Sequence, residues 1–389
     1  MAVKKEWKKL TDFQHARNNN EMYFGSRDEH TQTVLGYEGG KPVIQTHTWI
    51  PAVFTAFREV LDNALDEIVT HGHGDRVDIT YDMANMIFSI TDNGRGIPID
   101  FDEEEQQYAA TVLLSETKAG RNFDDRGNSR GMNGIGASIV NMCSEYFQLD
   151  ITRDKKNFTQ RFSDGGSDLH IEDAMILPAK KNAPTGTRVE FKLSSKVFPR
   201  MDLPEAFVRA RVFDVALCYP QVRVFYNGKR VETAGTVERT VFPDTKPIAF
   251  TVREPGFISQ FWLVPNFAKD GSEMSHTLVN AIPTFNGGTH VDAFKRKFFS
   301  GLIDALAPMS KKRRLTPNRS DIADGLLVFN ITEMNAPKFD SQNKTRLINE
   351  ESSKIVERAL AEPEFFKRVI KNNADWMRSV GGFGGSKVV

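Results

Sequence analysis

The 389-residue chain balances 51 basic against 51 acidic side chains, so a chain-wide electrostatic grip on nucleic acid is excluded and any such contact must be local. Its two cysteines, Cys143 and Cys218, are too few for a disulfide framework, and no Cys/His spacing suits a zinc site. No apolar run is long enough to span a membrane and the polar N-terminus lacks a signal-peptide pattern, so a soluble, intracellular protein of two or three domains is expected.

In chain order, residues 1–45 are polar and irregular around a Gly39-Gly40 turn and read as an arm, not a self-sufficient fold. From Pro51 to Thr70, Val53, Phe54, Phe57, Val60, Leu61, Ala64, Leu65 and Ile68 recur at helical spacing, which predicts an amphipathic helix entered at Pro51 and left before Gly72. Glu59, Asn63 and Asp66 fall on one face of it as a polar stripe, a pattern that taken alone is more often a solvated face than a site. Val77, Ile79 and Tyr81 alternate with polar residues, Asp82–Asn85 turn, and Met86–Thr91 read as a buried strand. This hairpin delivers Asp92 to a strand end before Asn93-Gly94-Arg95-Gly96, where the backbone can turn tightly and a ligand can approach; a bare turn-forming Asp would look the same.

Ser129–Gly136 is a glycine-rich loop running into a helix that starts near Ala137; open backbone N–H groups at a helix N-terminus suit a polyphosphate. Pro184-Thr185-Gly186-Thr187 turns into an alternating strand, and the Thr187 hydroxyl can serve a base or water, or only shape the turn. Lys311-Lys312-Arg313-Arg314 is a local basic cluster, as well suited to a solvated linker as to a duplex backbone.

In this order, Glu59-x-x-x-Asn63, Asp92-x-Gly94-x-Gly96, Gly131-x-x-Gly134-x-Gly136 and Gly186-Thr187 resemble the motifs of the gyrase, Hsp90, histidine kinase and MutL (GHKL) ATPase superfamily. The wording "EVLDNALDE", "TDNGRGIP", "NFDDRGNSRGMNGIGASIVN" and "PTGTRVEF" is similar to the ATPase regions of type II DNA topoisomerases. "HTLVNAIPTFNGGTHVDAF" and "DIADGLLVFNITEMNAPKFDSQNKTRL" resemble the second half of those regions, the latter bearing a Gln-Thr-Lys switch loop that reads Gln342-Asn343-Lys344 here. "GMNGIG" and "FDSQNK" lean to eukaryotic wording, "DNALDE" and "FNGGTH" to bacterial, a mixture that resembles the ATPase subunits of T-even-like phage topoisomerases.

The resemblance implies an α+β fold: a two-layer α/β sandwich with a mixed sheet (the Bergerat or GHKL ATPase fold), followed by a transducer like the second domain of ribosomal protein S5. The implied division is an N-terminal arm at 1–45, an ATP-binding domain at 46–198, a transducer at 203–375 ending in a long helix near Asn349–Met377, and a flexible tail at 376–389. ATP and Mg2+ are the implied cofactors. Glu59 would be the general base and Asn63 the magnesium ligand; Asp92, Gly96, Ile97 and Thr187 would hold the base. Gly131, Asn133, Gly134, Ile135 and Gly136 would wrap the phosphates, with Asn122 in the lid. Gln342 and Lys344, from the second domain, would bind the γ-phosphate and assist catalysis. Asp62, Asp66 and Glu67 are expected in supporting or solvated roles.

Three departures stand out: Asn343 for the usual threonine, Arg130 for a glycine, and Asn122 where bacterial members place a lysine. The implied activity is an ATP-hydrolysing topoisomerase gate in the cytoplasm, that of the host if phage-encoded. Its partners would be a second copy of the chain, a cleavage/religation subunit or domain, and double-stranded DNA contacted by Lys311, Lys312, Arg313 and Arg314. The alternative is an Hsp90-like or MutL-like clamp not coupled to DNA cleavage.

Overall fold

The computed structural model describes residues 10–117, 135–313 and 316–380. The chain forms two compact units, one of residues 1–32 and 46–233, the other of 33–45 and 234–389.

From residue 10 on, the N-terminal segment forms regular elements where its polarity suggests irregular chain. Thr11 caps helix α1 (Asp12–Asn18) by accepting the Gln14 N–H at 3.2 Å, and Phe13 and Ala16, three apart, are its buried side. Strands β1 (His30–Glu38) and β2 (Lys41–Trp49) then pair across the expected Gly39-Gly40 turn.

In the first unit, Pro51 opens helix α2 (Pro51–Leu65), and a single π-turn over Asp66–Thr70 replaces the last turn of the predicted α-helix. Nearly every side chain of α2 is buried, so it is a central helix and not a surface one with a wet stripe. Strands β3 (Arg76–Asp82) and β4 (Ile87–Asp92) form the predicted hairpin, with Asp92 as the last residue of β4. After the segment outside the described residues come helix α3 (Gly136–Met142) and strands β5 (Ser144–Arg153), β6 (Lys156–Asp164) and β7 (Gly186–Leu193). Helix α4 (Glu205–Cys218) and strand β8 (Arg223–Tyr226) complete the unit.

The described strands here form a nine-stranded sheet whose middle runs β6-β5-β7-β4-β3-β8. Only β8 pairs in parallel, with β3; the pairs before it are antiparallel, so the sheet is mixed. That parallel pairing carries the first unit on to Thr233, past the boundary at 198–203 expected from the sequence. Stacked Phe57, Phe88 and Phe191 fill the space between α2 and the sheet.

In the second unit, strands β9 (Ile248–Glu254), β10 (Phe257–Val264), β11 (Met274–Val279) and β12 (Leu327–Met334) lie in the order β9-β10-β12-β11. Strands β11 and β12 are parallel, joined through the 25-residue helix α5 (Thr289–Arg313), a βαβ crossover. Phe261 stacks on Phe294 of α5 with ring centroids 3.9 Å apart, at the centre of a phenylalanine-rich core.

The single long helix expected over Asn349–Met377 is three: α6 (Glu350–Ala359), α7 (Pro363–Asn372) and α8 (Ala374–Ser379). Pro363 has no N–H to continue the ladder and forces Glu362 into an extended conformation, so the chain breaks there. Trp376, Met377 and Val380, expected from the sequence in a flexible tail, are buried in the same core.

Candidate functional site

Within the first unit the side chains singled out on α2 separate by burial. Glu59 is buried and Asn63, one turn on, is exposed, while Asp62 and Asp66, expected in supporting or solvated roles, are both buried. Arg58 Nη2 donates to Glu59 Oε1 at 2.7 Å, and Asp62 accepts from Arg211 Nη2 of α4 at 2.8 Å. Neither arginine was legible as part of the site, because an Arg in an apolar-periodic helix reads as a surface residue. Glu67 is committed to Arg95, which grips its two oxygens through Nε at 2.7 Å and Nη2 at 2.9 Å.

Asp92 ends β4 with its carboxylate buried, its Oδ1 accepting the Gly94 N–H at 2.8 Å. Desolvation pushes its pKa up to about 6, against the downward pull of the Gly94 hydrogen bond; the nearby Glu67 charge adds to the rise. Thr187, at the start of β7, accepts the Ile97 N–H on Oγ1 at 3.2 Å and so ties the glycine turn to the neighbouring strand. Gly96 between them has φ +81°, and a Cβ there would stand 2.9 Å from Ile151 Cγ2. Arg153 Nη1 closes this corner on the Gly96 carbonyl at 2.8 Å. Asp92, Gly96, Ile97 and Thr187 are therefore gathered in one place.

Ile135 and Gly136 lie at the entry to α3. A Cβ on Gly136 would collide with Glu59 Oε2 and stand 3.2 Å from the Glu59 Cβ, so the carboxylate lies against the first residue of that helix. Gly131, Asn133, Gly134 and Asn122 lie outside the described residues. A cavity of about 670 Å³ on the sheet includes Asp92 and Thr187 in its lining, but its arginines Arg76, Arg188 and Arg223 are each paired with an aspartate, at 2.6, 2.8 and 2.7 Å.

A metal fits only sparsely. Asn63 offers an exposed amide oxygen, a donor that suits a hard cation sharing its shell with phosphates and water, and no group of three His, Cys, Asp or Glu among the described residues forms a cation cage.

Gln342, Asn343 and Lys344 belong to the second unit, on a loop closed by its own ends. The Asp340 N–H donates to the Arg346 carbonyl at 3.1 Å, and the Thr345 hydroxyl donates to Asp340 Oδ2 at 3.1 Å. Arg346 Nη1 donates to the Asn286 carbonyl at 2.8 Å and Nη2 pairs with Asp292 of α5. Lys344 takes a left-handed conformation at φ +55° and is buried. Of the basic cluster, Lys311 is exposed near the end of α5, Lys312 and Arg313 are described only as its last backbone residues, and Arg314 lies outside the described residues.

Residues 51–196 match the family model of histidine kinase-, DNA gyrase B- and HSP90-like ATPases, and residues 250–382 match that of DNA gyrase B. DNA topoisomerase 2 of Arabidopsis thaliana is 26% identical over 384 residues, covering 95% of this chain and 26% of the relative. The DNA gyrase B protein of Borreliella burgdorferi is 29% identical over 318 residues, covering 77% and 49%. The chain thus spans about a quarter to a half of the length of these curated relatives. The solved ATPase region of Saccharomyces cerevisiae topoisomerase II shares the fold, with TM-score 0.77 at 23% identity, covering 96% of this chain and 98% of that one. Two family matches in chain order and a fold shared over nearly the whole length lead to one conclusion: residues 51–196 are similar to histidine kinase-, DNA gyrase B- and HSP90-like ATPases, residues 250–382 to DNA gyrase B, and the chain as a whole to the ATPase regions of type II topoisomerases.

Proposed function

We propose that the chain is the ATP-operated gate of a type II topoisomerase: ATP binding closes two copies around a duplex, and hydrolysis resets them. The observation that carries this reading is the buried Glu59 carboxylate set against Gly136, where the glycine-rich segment enters α3. A carboxylate there, beside a phosphate-binding helix start, is placed to orient and deprotonate an attacking water. Asp92 accepts the adenine amino hydrogen, with Gly96, Ile97 and Thr187 around the base. Gly131, Asn133, Gly134, Ile135 and Gly136 follow the phosphates, and Asn122 belongs to the lid. Asn63 would hold a magnesium ion, which when bound neutralises phosphate charge. Gln342 and Lys344 contact the γ-phosphate and stabilise charge developing there, so the site is complete only with a triphosphate.

The cytoplasm is the proposed location, and Lys311, Lys312, Arg313 and Arg314 are proposed to contact passing DNA. The segment before residue 45 is proposed to cross to the second copy, and a separate subunit or domain to supply cleavage and religation. A phage-type member accounts for the mixed wording, and it agrees with relatives among both eukaryotic topoisomerases and bacterial gyrases. Because these relatives are topoisomerases, the gate is favoured over a clamp uncoupled from DNA cleavage. The test is ATPase rate against protein concentration, with and without duplex DNA. A specific rate that rises with concentration and with DNA is expected; a rate indifferent to both would refute the gate.

A further inference from the structure

We infer that Arg58 is the positioning residue for Glu59, held in place by a buried relay through Asp62 to Arg211. This rests on the reading of Glu59 as the group that orients the attacking water.

Arg58 and Glu59 are sequence neighbours on a helix, so their side chains leave it about 100° apart. They nevertheless meet, Nη2 to Oε1 at 2.7 Å, which holds the glutamate side chain toward Arg58. One turn on, Asp62 lies 3.6 Å from Arg58 Nε on one oxygen and accepts Arg211 Nη2 at 2.8 Å on the other. Arg211 comes from α4, so a second helix braces the arrangement. No side chain of the four is more than 4% exposed.

Stability alone is a poor reason for this cluster. Taking paired charges out of water costs several kcal/mol per ion, and well-packed apolar residues commonly do as well or better. Its geometric product is definite: Glu59 Oε1 is held by a guanidinium, while Oε2 faces Gly136. The second oxygen is the one presented to a water at the phosphate end of the site. Arg58 touches neither water nor nucleotide in this scheme; it sets which oxygen does.

The experiment compares steady-state turnover, nucleotide affinity and thermal melting for the wild-type chain, Glu59→Gln, Arg58→Lys and Arg58→Met. Arg58→Lys keeps the buried charge but loses the planar fork, and its kcat should fall roughly 10- to 100-fold, the scale of a small misplacement of a catalytic group. Its KM and its affinity for a non-hydrolysable ATP analogue should stay within about twofold, since orientation and not binding is lost. Arg58→Met should lose more turnover than Arg58→Lys. Where the Met variant melts below assay temperature, Arg58→Lys decides. Wild-type kcat in Arg58→Lys, with Glu59→Gln inactive, overturns the role of Arg58 alone. Parallel loss of kcat and analogue affinity would mark Arg58 as merely structural and also overturn it. Wild-type turnover in Glu59→Gln would instead overturn the general-base reading beneath.

Discussion

Replacing Asp92 by Asn should make the nucleotide-free protein more stable while weakening its hold on ATP. The carboxylate is buried at the end of β4, and its pKa stands at about 6 against an ordinary 3.8. A folded-state value above the unfolded one means that the folded protein holds the proton more tightly, so ionised Asp92 costs stability above about pH 6 and that cost fades as pH falls toward 3.8. At about 1.36 kcal/mol per pH unit, the rise corresponds to about 3 kcal/mol at pH 8. Asn is nearly isosteric and its amide oxygen can still accept the Gly94 N–H, now at 2.8 Å. The variant should therefore gain up to about 3 kcal/mol at pH 8, roughly half of that at pH 5 and almost nothing near pH 3. For ATP the sign reverses: an adenine amino group would meet an amide N–H₂ or a neutral acceptor in place of a carboxylate. Losing a charge-assisted hydrogen bond of about 1.5–3 kcal/mol weakens binding by roughly 10- to 100-fold. Urea denaturation across this pH range gives the first quantity and calorimetric titration the second. A variant no more stable than wild type at pH 8, or an equal gain at pH 8 and pH 3, would refute the desolvation argument; unchanged ATP affinity would refute the adenine assignment.

Glu59→Gln should retain nucleotide binding and nucleotide-dependent dimerisation while losing most turnover; gel filtration with an ATP analogue beside a phosphate-release assay checks both halves. Lys344→Ala should reduce turnover well beyond any change in ADP affinity, and equal losses would count against γ-phosphate sensing. Phe294→Ala removes a buried ring stacked at 3.9 Å on Phe261 and should destabilise the second unit by about 3–5 kcal/mol, read from its denaturant midpoint.

What could be read without the structure was whatever repeats locally. Val53 to Ile68 recur at helical spacing, and the β3–β4 hairpin alternates over a few residues, so α2 and the strand-end position of Asp92 were both legible. The glycine turn at Gly96 followed from local backbone demands, whereas the tie from the Ile97 N–H to Thr187 spans 90 residues and did not. The order of four weak motifs then pointed to the ATPase superfamily.

Tertiary structure decided the rest. A period of 3.6 places polar side chains outside, and by that measure Arg58, Asp62 and Asp66 belong there; Arg58 and Asp62 are inside because opposite charges make burial tolerable, Arg211 lying 149 residues from Asp62, while Asp66 accepts the Thr70 hydroxyl at 3.2 Å. The same distance in sequence hid the parallel pairing of β8 with β3, which moves the end of the first unit to Thr233. By itself the sequence determined which residues are candidates for ATP chemistry, since residue type and local spacing suffice for that. Only the folded chain decided which Glu59 oxygen is held and which faces Gly136, because that depends on where Arg58 and the entry to α3 lie in space.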